Sequence, residues 1–172
     1  MLSKIYGELM GNILKDFPNI NIRPHNFYGP RMGFSHVIPE LMKKMYDSNN
    51  RTIKILSPNH KRTFCYISDA VEMIYRLSQS NRSIGNTYNI GSFENSITIF
   101  QLAKKISKIF NKKITLIKSL NEVGSPSDRQ PDMKKLNKII KYNTNYKLEN
   151  GLRETYDWYL KNIFKNNKKT FV

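Results

Sequence analysis

Apolar residues recur at every third or fourth position from Leu2 to Phe17, at Ile5, Leu9, Met10, Ile13, Leu14 and Phe17, and predict a helix with one apolar face. The period then shortens. Ile20 and Ile22 alternate with polar neighbours between Asn19 and Asn26, the mark of a short strand, and Tyr28-Gly29-Pro30 supplies the turn that closes it. Pro39 suits the first turn of a helix running to about Tyr46, and a polar loop over 47–51 separates it from a strand at Ile53–Leu56. After the turn Ser57-Pro58-Asn59-His60, Thr63–Ile67 reads as a strand. Asp69 with Glu72 three residues on resembles a capping box opening a helix through Leu77. Thr87–Ile90 is a further strand, Thr98 with Gln101 repeats the capping box for a helix to about Phe110, and the β-branched run Ile114–Ile117 is a strand. Asn121–Pro131 is irregular. Helices are expected at Met133–Ile140 and Glu149–Phe164, followed by a polar, basic tail from Lys165.

Helices alternate with strands and no internal repeat interrupts them, so the expected class is layered α/β. The 172 residues suffice for one domain with a real core, or one small domain and part of another, and a hydrophobic content of 39% is that of a folded protein. The apolar runs are too short to cross a bilayer and the N-terminus lacks a signal pattern, which reads as a soluble, cytoplasmic chain. Cys65 stands alone, so neither a disulfide nor a metal-ligand cluster is expected, and its setting Thr-Phe-Cys-Tyr-Ile predicts a buried strand thiol. The net charge of +16 makes a polyanion-binding module the alternative to an enzyme. Against it, 21 lysines and 8 arginines are scattered among many asparagines and isoleucines, as a compositional bias would leave them.

The eight glycines never form Gly-x-Gly or Gly-x-x-Gly, so no phosphate-cradling loop is present, and Gly7 and Gly11 read as close-packing positions on the first helix. The zinc-hydrolase and serine-hydrolase motifs are absent too. What the chain does carry is a set of ordered blocks: Ser3-Lys4-Ile5-Tyr6-Gly7-Glu8, Arg23-Pro24-His25-Asn26-Phe27-Tyr28-Gly29-Pro30-Arg31-Met32, His36-Val37-Ile38-Pro39, Arg62-Thr63-Phe64-Cys65-Tyr66-Ile67-Ser68-Asp69-Ala70, Tyr88-Asn89-Ile90-Gly91 and Asp128-Arg129-Gln130-Pro131-Asp132. In order and spacing they resemble the back half of the extended short-chain dehydrogenases/reductases that act on nucleotide-linked sugars, the NAD-dependent epimerases, dehydratases and decarboxylases. The resemblance runs from Met1 to about Tyr159.

That resemblance implies the end of a Rossmann-type, doubly wound domain over residues 1–32, a smaller mixed α/β substrate-binding domain over 33–164 and a basic tail over 165–172. It casts Lys4 as the lysine of a Tyr-x-x-x-Lys pair whose tyrosine would fall immediately before Met1. In the family that tyrosine removes a proton from a sugar hydroxyl while NAD takes hydride, and the lysine favours the tyrosinate and binds the nicotinamide ribose. Tyr6 cannot replace it, because two residues along a helix turn a side chain through about 200°. The family pattern further implies Pro24 and His25 at the nicotinamide end, and Asn26, Arg62 and Arg129 on the diphosphate, where a planar guanidinium bonds phosphate in a fork. Val37, Lys54 and Leu56 would flank the base. Asp69 and Asp132 read as a helix cap and a turn residue. Pro24-His25 and Lys61 depart from the commonest family residues and blur the subfamily. Without the tyrosine and the glycine-rich loop, the chain is expected to be inactive alone, with a missing N-terminal half or a homodimer partner as its complement.

Overall fold

A computed structural model describes residues 2–14, 17–48, 52–110, 113–119 and 126–165. The chain opens with α1 (Leu2–Ile13), followed by β1 (Asn21–Pro24) and β2 (Phe27–Tyr28). The apolar spacing predicted a helix to Phe17. Asn19 ends it earlier, because its Nδ2 donates to the carbonyls of Gly11, Leu14 and Phe17 and so satisfies the oxygens a longer helix would have used. Gly11 is a close-packing position as expected, since a Cβ there would lie 2.8 Å from Asn21 Oδ1; Gly7 is not, for it faces open space.

The centre of the chain forms α2 (Val37–Asp47), β3 (Thr52–Ile55), β4 (Lys61–Arg62), β5 (Cys65–Tyr66), α3 (Ile67–Ser78), a 3-10 turn at Asn81–Ser83 and β6 (Thr87–Ile90). Then come β7 (Ile97–Thr98), α4 (Ile99–Ser107), β8 (Thr115–Lys118), β9 (Asp128–Arg129), α5 (Lys134–Ile140), α6 (Leu148–Tyr159) and a π-helical turn at Leu160–Phe164. The Thr98–Gln101 capping box forms with both of its reciprocal bonds. The proposed Asp69–Glu72 box does not: α3 begins two residues earlier, capped by Tyr66 without a side-chain bond. Asp69 is instead buried and accepts from Tyr142 Oη at 2.6 Å and from the amides of Asn145 and Tyr146. A carboxylate with three such donors is worth more as a tie between distant segments than as a cap. The strand expected over Thr63–Ile67 is likewise split, because the chain changes partners there. β4 pairs with β7 and β9, β5 pairs with β2, and Thr63 spans the step with its carbonyl bound to Asn26 Nδ2 at 2.9 Å.

The pairings β1–β6, β2–β5, β3–β8 and β4–β9 are parallel, and β4–β7 is antiparallel. The protein is a mixed α/β fold. One apolar cluster gathers α2, β3, α4 and α6, with Tyr28 and Tyr66, and a second gathers Cys65, Met73, Leu77, Tyr88, Ile90, Met133, Leu136 and Tyr142. Asp69 sits on the seam between them: its partner Tyr142 belongs to the second, and Tyr146 stacks on Tyr66 of the first at 4.4 Å. Cys65 is buried in its strand as predicted, and desolvation pushes its thiol up to about 12.

Candidate functional site

The end of β1 shapes the site. His25 N–H donates to Ile90 O at 2.8 Å, extending the parallel pairing one residue past β1, and Asn26 then turns the chain with a φ of 45°. Asparagine tolerates this left-handed geometry better than most residues. The turn directs β2 to a different neighbour and opens a cavity of about 410 Å³ lined by Pro24, Asn26, Phe27, Met32, Gly33, His36, Val37, Ile38 and Phe64. Such a concavity, mostly apolar with a few polar groups, is the usual form of a small-molecule site.

Two residues before Phe64 in the chain, at the end of β4, stands Arg62. In the parallel register of β4 with β9 it lies directly opposite Arg129. Two residues 67 apart in sequence thus hold like charges side by side, with the neighbouring Asp128 carboxylate acting in the opposite sense on Arg62. Burial, and after it the Arg129 charge, lowers the pKa of Arg62. The Arg62 guanidinium donates to Lys61 O at 2.6 Å and Pro126 O at 2.9 Å, which fixes the fork against the β9 approach.

The structure therefore brings together Pro24, Asn26 and Val37 in one cavity, and separately sets Arg62 opposite Arg129, with Arg62 two residues along the chain from Phe64 of the cavity. His25 is half-buried against Gly91, where an added Cβ would meet its own Cβ at 3.2 Å, and it is not among the residues lining the cavity. Asn26 has one amide hydrogen committed to Thr63 O, leaving its second hydrogen and its carbonyl oxygen. Lys54 and Leu56 are exposed at β3 and do not line the cavity, and Lys4 is exposed on α1. Asp132 takes its expected turn role, accepting from Lys134 N at 2.8 Å. Met32, Gly33, His36 and Phe64 were not singled out from the sequence. Their signal was position alone: Met32, His36 and Phe64 stand inside the ordered blocks and Gly33 follows one.

Compared with known proteins, the model of the NAD dependent epimerase/dehydratase family matches residues 1–91, more than half of the chain. The chain belongs to that family. Among curated epimerase/dehydratase relatives, UDP-glucuronic acid decarboxylase 3 of Arabidopsis thaliana is 28% identical over 132 residues, covering 76% of this chain and 37% of the relative. UDP-N-acetyl-alpha-D-glucosaminuronate decarboxylase of Bacillus cytotoxicus is 27% identical over 159 residues, covering 87% of this chain and 49% of the relative. The fold is shared with UDP-glucuronic acid 4-epimerase of Bacillus cereus, solved with UDP-glucuronic acid and NAD, at a TM-score of 0.80 and 24% identity over 93% of this chain and 52% of that one. An epimerase of Methanothermobacter thermautotrophicus gives 0.83 at 19% identity, over 98% of this chain and 50% of that one. This epimerase/dehydratase chain spans half or less of the length of the curated relatives named here.

Proposed function

We propose that the chain is the substrate-binding part of an NAD-dependent epimerase, dehydratase or decarboxylase acting on a UDP- or dTDP-sugar, in the cytoplasm, for surface-polysaccharide synthesis. The observation that carries this reading is the pair Arg62–Arg129, held opposite each other in β4 and β9, with Arg62 two residues along the chain from Phe64 in the wall of the cavity of Pro24, Asn26 and Val37. A diphosphate is the ligand that two adjacent guanidinium groups recognise best. Attached sugar or nucleoside would then fill the cavity, and Lys54 and Leu56 would flank the base only from outside its present lining.

For the cofactor, the residues fit one end. Pro24 and His25 lie at the C-terminal end of the parallel pair β1–β6, the end of such sheets where dinucleotides bind, and the exposed Lys4 is accessible to a ribose. The 172 residues hold no glycine-rich loop for the pyrophosphate. NAD bound there would supply the hydride acceptor. Lys4 would hold the ribose hydroxyls and favour the ionised form of a neighbouring phenol, which the chain does not itself place at the required spacing. Alone, the 172 residues are therefore expected not to turn over a nucleotide sugar.

The complement in this reading is a dinucleotide-binding α/β half that covers α1 and β1. Two features support it. Leu2, Ile5, Tyr6, Leu9, Met10 and Ile13 are all exposed, from 48% at Ile5 to 70% at Leu2, and among the described residues β1 pairs with β6 alone. A second copy meeting this helix would offer fewer than the roughly 20–30 residues a side of a standard interface. In the same proposal residues 1–32 belong with that half and 33–164 form the substrate-binding unit.

Calorimetric titration of the chain with UDP- and dTDP-sugars, beside an Arg62→Ala, Arg129→Ala double variant, tests the reading. Saturable binding lost in the variant is the expected result. Salt-sensitive binding of any DNA, with no nucleotide-sugar binding, would replace it with the polyanion module.

A further inference from the structure

We propose that Tyr159, which lies outside the residues matched by the family model and outside the cavity, is the positioning residue for the cavity's wall. The proposal rests on the reading of that cavity as the ligand site. Three of its lining residues, Met32, Gly33 and His36, come from the segment 29–36 between β2 and α2. This segment has little regular structure of its own: Arg31 takes a φ of 67°, and a bond from His36 N to Gly33 O at 3.2 Å closes its last turn. Its shape must be imposed from outside.

Two of the contacts that hold it reach Tyr159. The phenol, on a side chain almost fully buried in the core, donates to the main-chain carbonyl of Met32. Two residues on, Phe34 packs its ring against that of Tyr159 at 5.4 Å and against Phe164 at 6.3 Å. The π-helical turn after α6 makes the second contact available. It closes through Lys165 N to Leu160 O at 3.2 Å and keeps Phe164 buried, with Tyr46 stacked on the other side at 4.5 Å. Insertions of this kind are often found where a helix serves a functional site. Burial pushes the Tyr159 hydroxyl up to about 12, so it remains a neutral donor throughout the physiological range. The C-terminal helix thereby grips the segment at Met32 and Phe34, and the position of Met32, Gly33 and His36 in the cavity lining follows from that grip.

Tyr159→Phe removes the donor and leaves the ring. Tyr28→Phe is the control, for Tyr28 is also buried and donates to a main-chain carbonyl, that of Leu148 at 3.3 Å, but does not line the cavity. Hydrogen exchange in the unliganded chain should quicken over 29–36 by about five- to tenfold in Tyr159→Phe and stay at the wild-type rate in Tyr28→Phe, the effect of one lost hydrogen bond. Titration with UDP and dTDP should show a Kd raised by a similar factor, again only in Tyr159→Phe. Wild-type exchange over 29–36 in Tyr159→Phe would overturn the proposal whether or not a nucleotide binds. Quickened exchange with no binding of either nucleotide to the wild type would retain the positioning role and overturn the ligand reading.

Discussion

The helices α1 and α6 are each 12 residues long and amphipathic, yet they present their apolar faces in opposite directions. α6 turns Leu148, Leu152, Thr155 and Tyr159 into the core and leaves Arg153, Glu154 and Asp157 outside. α1 meets the body through its polar side. Glu8 accepts two bonds from Arg23, at 2.5 and 2.7 Å, Gly11 abuts Asn21, and the apolar stripe faces away. Amphipathicity says that a helix has a face to cover, and only the fold says whether the same chain covers it. The body around α6 is closed on itself. The α1–β1 layer leaves its apolar side exposed.

Matched substitutions in the two helices should separate these roles. Leu152→Ala, in the first apolar cluster, is expected to destabilise the chain by about 2–5 kcal/mol in denaturant unfolding, while Leu9→Ala leaves the midpoint within roughly 0.5 kcal/mol. An equal loss at Leu9 would mean that α1 is packed in solution. The next contrast changes sign. Gly151→Ala would place a methyl 2.3 Å from Tyr28 Oη and 2.7 Å from the Tyr66 ring, at a cost of about 1–3 kcal/mol, whereas Gly7→Ala meets nothing and should stabilise α1 by about 0.5–1 kcal/mol through helix propensity. Thermal melts of the two variants shifting the same way would remove the contrast. Replacing both Leu9 and Ile13 by Lys should raise the concentration at which the chain begins to associate, by light scattering, without lowering its melting temperature. The smallest effect concerns Glu8, whose pKa is lowered chiefly by the Arg23 hydrogen bond. A depressed carboxylate pKa gives a contribution present above its unfolded value of about 4.3 and lost as the pH falls through the folded value. Glu8→Gln should therefore abolish a weak acid-side loosening of α1 while leaving behaviour at pH 7 nearly unchanged.

Periodicity and capping chemistry reveal the helices because those signals are local. The Thr98–Gln101 box is complete within four residues, and Thr87–Ile90 is a strand with the limits its pattern predicts. The two-residue strands β2, β4, β7 and β9 escape such a reading, since each exists only through a partner far away in sequence. For the same reason the capping reading of Asp69 failed: Tyr142, Asn145 and Tyr146 lie more than seventy residues on, and no local pattern announces them. The candidate site divides in the same way. Asn26, Val37, Arg62 and Arg129 stand out through ordered motifs, whereas Met32 and Phe64 enter the cavity only because Asn26 turns the chain and Thr63 ties it down. The spacing of α1's stripe carries no direction; only the fold shows that it faces outward.

The strand pairing also bears on how the chain reaches its fold. Asn21 lies opposite Thr87, Thr52 opposite Thr115 and Lys61 opposite Asp128, and even the shorter pairing sets Phe27 against Cys65. No two consecutive strands form a hairpin among the described residues. Every ladder must close a long loop before its first hydrogen bonds repay the lost entropy, which slows folding relative to a helical bundle of the same size. During synthesis β1 is made well before β6 and waits for it, with the apolar face of α1 exposed meanwhile. The interval between β1 and β6 is thus an adhesive stage, and the yield of folded chain should depend more on temperature and concentration during expression than on the stability of the finished structure.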